Sequence, residues 1–418
     1  MTNRFSRSWL FLLLAVGLLW PFARGAAAFT YFSYPYGERV GPFDARSLAM
    51  AGTGVAFQDN ALALHVNPAN LAGIKGFAVN STVALVKVDE DRAFPFHDSF
   101  DGFVDYNTYA MNSNVYGSFA LGMVKAFPEA GRFPNLAVAG YPLYDWNYDY
   151  FEEVRDESDA LIGKNIMEHR DGIYAISLGA AEAVSSWLDV GVSINYLKAG
   201  GQFERRAFSD TTIVDLRQEL DADGFNLNLG TVARISPRLR LGLAYRSQAR
   251  LDGTVAFSGK DIADPDSSAK LEHTYPHTVA FGVEFRPRNE LTTRLNFDVE
   301  FTQWSKFKDA TDETVKFDDV WQFAGGIEHH FFIGVPFRFG FRYQPSYHDR
   351  DITTTAVSFG TGFTYQGFQI DLGGEIGTRS WRQEDLFPES YYGGVERSGK
   401  DRVKESQLRA MVSVGYQM

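Results

Sequence analysis

The chain of 418 residues has no cysteine, so neither a disulfide framework nor a thiolate metal site is open to it. It has no basic run, and its net charge of −12 argues against nucleic acid as a partner. Beyond residue 28 there is no apolar run long enough to cross a bilayer as a helix. Mean hydropathy is only −0.21, a value at which averaging reveals no membrane segment. Groupings that carry chemistry are scarce as well. His273 and His277 flank Pro276 at a loop–strand junction. His329 and His330 are neighbours, and neighbours on a strand point to opposite faces, so they cannot share a metal. Gly52 and Gly54 lack a preceding strand and the rest of a phosphate fingerprint. No catalytic residue, metal site or cofactor is expected.

What is present begins with a secretion signal. Arg4 and Arg7 precede an apolar run from Trp9 to Trp20, then Pro21 and Gly25-Ala26-Ala27-Ala28. This is the build of a signal peptide over residues 1–28, with Phe29 as the mature start. Aromatic residues make up 15% of the chain, which is rich for a soluble domain and suits lipid-facing walls with aromatic girdles.

The dominant pattern is alternation. Phe337, Phe339, Phe341 and Tyr343 alternate with Arg338, Gly340 and Arg342. Leu291, Leu295, Phe297, Val299 and Phe301 oppose Arg294, Asn296, Asp298 and Glu300. A strand sends successive side chains to opposite faces, so each segment has one greasy and one polar face. A soluble protein rarely hides Arg, Asp and Glu along every inner face. A barrel with lipid outside and a wet lumen does so by design.

Alternation and turn signals mark about fourteen strands, near 76–89, 114–127, 135–148, 171–184, 187–200, 221–235, 238–258, 273–286, 290–304, 319–332, 336–346, 353–365, 367–379 and 403–417. Short connections alternate with long ones, the latter about 90–113, 149–170, 201–220, 259–272, 305–318 and 380–402. Outer-membrane barrels have tight periplasmic turns and long external loops, and an even strand number returns both ends to the periplasm. Residues 29–75 do not alternate and read as a partly helical module. The expected fold class is therefore all-β: a transmembrane antiparallel barrel over 76–418 with an N-terminal plug, 29–75, in its lumen. The long loops are acidic, with Asp149, Glu152, Glu153, Asp156, Glu157 and Asp159 in one of them. They form a solvated face or bridge divalent cations to anionic surface lipid.

At this point the chain resembles the FadL/TodX outer-membrane transporters of long-chain fatty acids and other hydrophobic compounds. Asp223-Gly224-Phe225-Asn226-Leu227-Asn228-Leu229-Gly230, running on to Leu241-Gly242-Leu243-Ala244-Tyr245-Arg246-Ser247, is similar to the family's Gly-Phe-Asn strand, tight turn and Gly-Leu-x-Tyr-Arg-Ser. Further matches are Pro276 to Pro287, Asp298 to Ser305, Trp321 to Tyr343, and Asn67-Pro68-Ala69, which looks like the Asn-Pro-Ala of the family's plug. The likeness spans most of residues 45–345. The chain departs from the family at its end, Met418, where such barrels close on an aromatic residue.

The resemblance implies a monomeric barrel in the bacterial outer membrane, surrounded by lipid and lipopolysaccharide. It implies passive uptake of hydrophobic small molecules, with long-chain fatty acids the leading class. The ligand lands on the outer loops, enters a greasy pocket and leaves sideways into the membrane. The stretch Asp44 to Gly73 also resembles the start of FadL-like barrels that serve secretion machinery, so a scaffold in secretion or surface assembly is the alternative.

Candidate site residues follow. In the first strand Val83, Ala84, Leu85, Val86 and Val88 are apolar on both faces, which places ligand contacts at Val83 and Leu85 or packs the strand against the plug. Pro142, close after Gly140, cannot donate to the ladder and would kink the third strand or end it near Tyr141. The family's lateral opening maps onto this Gly140–Pro142 segment by resemblance. Asn67, Pro68 and Ala69 are the family's gate turn by the same resemblance, or an ordinary turn. Inward Arg240, Arg246 and Arg342, with Arg238, Arg294 and Arg338, could fork onto a ligand carboxylate. Their other reading is a structural network with Glu284, Asp298, Glu300, Glu328 and Asp371.

Overall fold

The structure is a computed structural model. It describes residues 36–418 apart from 101, 128–132, 157, 211, 261–266, 289–291, 311, 313, 332–333 and 395–398. The expected signal peptide, residues 1–28, lies outside the described residues, as does the start of the expected plug.

Fourteen antiparallel strands form a closed barrel. They are β1 (Phe77–His97), β2 (Phe103–Lys125), β3 in two arms (Asn135–Asp145 and Tyr148–Arg155), β4 (Leu161–Ala183), β5 (Leu188–Phe208) and β6 (Thr212–Ser236). Then come β7 (Leu239–Arg246 and Ala249–Lys260), β8 (Ser268–Tyr275 and Thr278–Phe285) and β9 (Thr293–Thr302). The circuit ends with β10 (Val320–His330), β11 (Pro336–Pro345), β12 (Thr353–Tyr365), β13 (Phe368–Gln383) and β14 (Asp401–Gln417). β14 pairs with β1 from Gln417↔Ala78 to Arg402↔Ala93, which closes the ring. Among the described residues no helix is long and apolar enough to cross a membrane.

The alternation works as expected. Phe337, Phe339 and Phe341 are exposed on the outer wall while Arg338 is buried inside. Each expected strand has its counterpart, but the strand ends differ. β4 starts at Leu161 rather than near 171, β5 runs to Phe208, and β6 starts at Thr212. Much of each expected long loop is thus a continuing hairpin. Above the apolar band both faces meet water, so the greasy–polar rhythm stops while the backbone ladder does not. Charged side chains mark these extensions, as where Lys198 Nζ reaches Asp221 at 2.5 Å.

Inside the barrel sits the plug. It has a two-residue strand, Glu38–Arg39, a one-turn helix α1 (Ala45–Leu48) and two 3-10 turns, Ala61–His65 and Pro68–Gly73. Asp44 caps α1 by accepting from Ser47 N at 3.0 Å. The wall meets the plug through a belt of inward glycines near the short-turn end. A Cβ at Gly191, Gly230, Gly242, Gly326, Gly340 or Gly373 would run into plug atoms, among them Ala69, Asn67, Val55, Met50, Ala51 and Ala45. Glycine is needed there because plug and wall touch without room for a side chain.

Charge fastens the same contact. Glu328 of β10 accepts from Arg46 Nε at 2.7 Å, Arg46 Nη2 at 2.6 Å and Arg338 Nε at 2.7 Å. Arg338 also donates to Asp371 at 2.7 Å. Phe57 of the plug lies 3.9 Å from the Arg294 guanidinium and 4.9 Å from that of Arg240, close enough for cation–π attraction.

Candidate functional site

β3 is the irregular element of the wall. Its ladder with β2 runs only from Lys125↔Leu136 to Leu121↔Gly140. Past Gly140 the lower arm turns inward, and Tyr141, Leu143, Tyr144 and Asp145 are all buried. Burial on consecutive residues means this stretch no longer has an outside face. Its register with β4 slips by one residue between Pro142↔Tyr174 and Tyr144↔Ile173, a bulge centred on Leu143. Pro142 therefore sits inside the strand and does not end it. A Cβ added at Gly140 would meet open space. The upper arm of β3 reaches β2 through side chains, with Tyr116 Oη donating to Asp149 Oδ2 at 2.8 Å.

The inward arm borders an aromatic cluster. Tyr144 lies 4.6 Å from Tyr275, and Trp304 stacks on Tyr347 at 3.8 Å with planes 9° apart. Phe307 meets Tyr36 at 4.6 Å, and Phe317 meets Tyr347 edge-on at 4.8 Å. The hydroxyls are turned to polar partners: Tyr275 donates to Tyr36 O at 2.7 Å, Tyr347 to Gly37 O at 2.7 Å, and Tyr36 to Asp309 at 2.9 Å. The ring faces are left as apolar surface. Beside the cluster lies a cavity of about 130 Å³ whose lining includes Arg39, Val55, His65, Tyr144, Trp304 and Tyr347. Burial, and then the nearby Arg246 and Arg39, push the His65 imidazole well below its usual pKa, so it stands neutral at the cavity edge.

The candidate residues fall into separate places. Leu85 points outward and is 54% exposed, and Val83, two residues away, shares its face. Neither lines the lumen, a correction to the expectation for the first strand. Its inward apolar residues are Ala84, Val86 and Val88, all buried. Three arginines face inward but are engaged by protein. Arg240 Nε lies 3.2 Å from Glu284, Arg246 donates to His65 O at 2.6 Å, and Arg342 donates to Glu375 at 2.7 Å and to Gln344 at 2.8 Å. The network reading describes these contacts better than a free anion fork. Glu284 also takes Arg286 and Arg294, while Asp298 accepts from Gly54 N at 2.7 Å.

Asn67, Pro68 and Ala69 lie together against β5 and β6. Asn67 caps the second 3-10 turn by accepting from Ala69 N at 3.0 Å, and its amide donates to Val55 O at 2.7 Å and Thr231 O at 3.1 Å. The histidines are dispersed. His273 faces Asp309 at 3.3 Å, His277 lies beside Tyr245, and His329 bonds Thr293 at 2.8 Å. Among the described residues no three His, Asp or Glu side chains group as metal ligands.

Sequence reasoning missed the aromatic cluster. Its members stand where strands break or end: Tyr275 before Pro276, Trp304 after β9, Tyr347 after β11. Aromatic residues at interrupted strand ends were the available signal.

The family model described as outer membrane protein transport protein (OMPP1/FadL/TodX) matches residues 175–374. No curated protein matches the chain in sequence. Among solved structures, a FadL homologue of Pseudomonas aeruginosa aligns with a TM-score of 0.66 at 12% identity, covering 91% of this chain and 99% of its own. The toluene transporter TodX of P. putida aligns at 0.64 with 15% identity, covering 90% and 98%. The toluene transporter TbuX of Ralstonia pickettii aligns at 0.58 with 16% identity, again covering 90% and 98%. Such identities carry the fold and leave the ligand open. With the family model across its middle strands and these barrels along nine-tenths of its length, the chain belongs to the FadL/TodX family of outer-membrane transport proteins, which are channels and not enzymes.

Proposed function

We propose that the barrel admits hydrophobic small molecules passively, through the lumenal aromatic cluster and out sideways between β2 and β3. One observation carries this reading: the residues that β3 withdraws from β2 are the residues that border the aromatic cluster. Tyr144 touches Tyr275, and four positions earlier Gly140 makes the last pair with β2. A ligand leaving the cluster past this arm would meet lipid, which suits an apolar molecule, whereas a polar lumen offers it nothing over water.

Gly140 and Pro142 mark the proposed lateral opening. Asn67, Pro68 and Ala69 are assigned the role of a closed gate turn, since a downward route would break the three hydrogen bonds of Asn67 and lift the plug from its glycine belt. We assign long-chain fatty acids as the first ligand class, with Arg39, Arg342 and Arg409 at the cavity edge as the surface that meets a carboxylate. A second reading is favoured by the cavity itself. At about 130 Å³ with aromatic walls it is near the ~150 Å³ that holds a benzene-sized guest. The barrel sits among outer-membrane lipid and lipopolysaccharide as a monomer, because the closed ladder leaves no edge for a second copy.

The test is reconstitution. Purified barrel in liposomes is expected to accelerate transfer of a labelled long-chain fatty acid, and a labelled monoaromatic hydrocarbon run in parallel decides between the classes. No transfer of either, with reproducible co-purification of a periplasmic or secreted protein, would favour a scaffold in secretion or surface assembly.

A further inference from the structure

The free edge of β3 has three successive partners. Leu136 to Gly140 pair with β2. Tyr144 and Asp145 pair instead with Arg39 and Glu38 of the plug, and Val40 N donates to Leu143 O at 2.9 Å. Higher up, side chains of β2 take over: Asn114 donates to Asp149 O at 2.8 Å, and Asn112 accepts from Phe151 N at 2.8 Å. β4 holds the other edge along both arms. The plug strand therefore stands where β2 would stand in a regular wall.

That strand is tied across the lumen. Arg39 pairs with Glu300 of β9. On the far side Arg379 of β13 donates to Glu38 at 2.6 Å and to Glu405 of β14 at 3.1 Å. Gly37, at φ +78°, lets the chain pass tightly over the arm, since a Cβ there would lie 2.5 Å from Trp146 Cδ1. Buried backbone groups without partners are strongly disfavoured. The inward arm is stable only if something pairs its edge, and the choices are β2 or the plug.

We propose that Glu38, Arg39 and Val40 form a strut that takes the place of β2 on the edge of β3 and so keeps the wall gap open, with Glu300, Arg379 and Glu405 as its anchors. Glu38 and Arg39 are positioning residues of the exit rather than ligand contacts. The proposal rests on the lateral-exit reading, and the experiment separates the two.

Extending the register from Leu121↔Gly140 puts Ser118 opposite Leu143 in a closed wall. The chain has no cysteine, so a Ser118→Cys, Leu143→Cys pair reports closure without background. With the strut intact, little disulfide is expected and uptake stays near wild type. Adding Glu38→Ala and Arg39→Ala should raise cross-link yield several-fold and lower uptake in proportion, at equal surface level and with folded-barrel migration on unheated gels. Arg39→Lys in place of the two alanines keeps the charge toward Glu300 and should hold cross-linking near the intact level. Unchanged cross-linking in the double-alanine background overturns the strut. Cross-linking that rises while uptake stays at wild type upholds the strut and sinks the lateral exit.

Discussion

β11 and β3 cross the same membrane and obey different rules. β11 keeps one neighbour on each edge along its length, with Phe337, Phe339 and Phe341 outside and Arg338 and Arg342 inside. Lower β3 starts in the same way, then loses β2 at Gly140 and is buried on successive residues to Asp145. A wall strand reads with period two because lipid and lumen differ. A strand that leaves the wall has lumen all round, and its sequence turns aromatic on both parities: Tyr141, Leu143, Tyr144, Trp146, Tyr148. Regular strands make the container, and the irregular one makes the route.

The bluntest way to break this contrast is to remove the plug that separates the two kinds of strand. Deleting residues 29–75 should open the lumen and raise leakage of polar solutes in liposome swelling; unchanged leakage would argue against an internal plug. Next comes the regular side. Arg338→Ala strips Asp371 of a buried partner and weakens the hold on Glu328, a loss expected to destabilise by about 3–5 kcal/mol. A lower temperature for the loss of compact gel migration would show it, while uptake at equal surface level should change little.

On the irregular side a smaller effect is expected. Pro142→Ala returns one ladder donor to the bulge, worth about 1 kcal/mol, and should slow transfer severalfold by favouring a straighter β3. Wild-type transfer at equal surface level would remove Pro142 from the exit. The smallest effect concerns pH. Burial raises the Asp44 carboxyl of the plug from 3.8 to about 6, although the Ser47 N–H opposes the shift. The folded form then holds its proton more tightly than the unfolded chain, so this group adds stability below its unfolded pKa and loses that contribution as pH rises through about 6. Asp44→Asn should flatten that part of the profile in thermal melts between pH 4 and pH 7. An unchanged slope would show that Asp44 does not titrate there.

Much of the molecule is legible in the chain. Fourteen strands follow from alternation and turn signals, and the inward acids and arginines named as one possible network largely form it, with Glu284, Glu328 and Asp371 at its centre. The strand ends are not legible, because above the membrane the ladder continues without any difference between faces. Val83 and Leu85 went astray for a related reason. A strand apolar on both sides gives no parity, and only its neighbours show that Thr82, Ala84 and Val86 face inward. The aromatic cluster was hidden because Tyr36, Tyr144, Tyr275, Trp304 and Tyr347 are scattered over more than three hundred positions and meet only when the ring closes.

By itself the order of residues determined a barrel with a greasy outside, a charged inside and a module to fill it. Side-chain polarity is read directly by the two solvents on either face of a strand. Which neighbour pairs each backbone edge is a different matter, since every N–H and C=O is chemically alike whatever side chain it carries. Only the folded barrel decided that the edge of β3 passes from β2 to the plug strand at Tyr144 and Asp145.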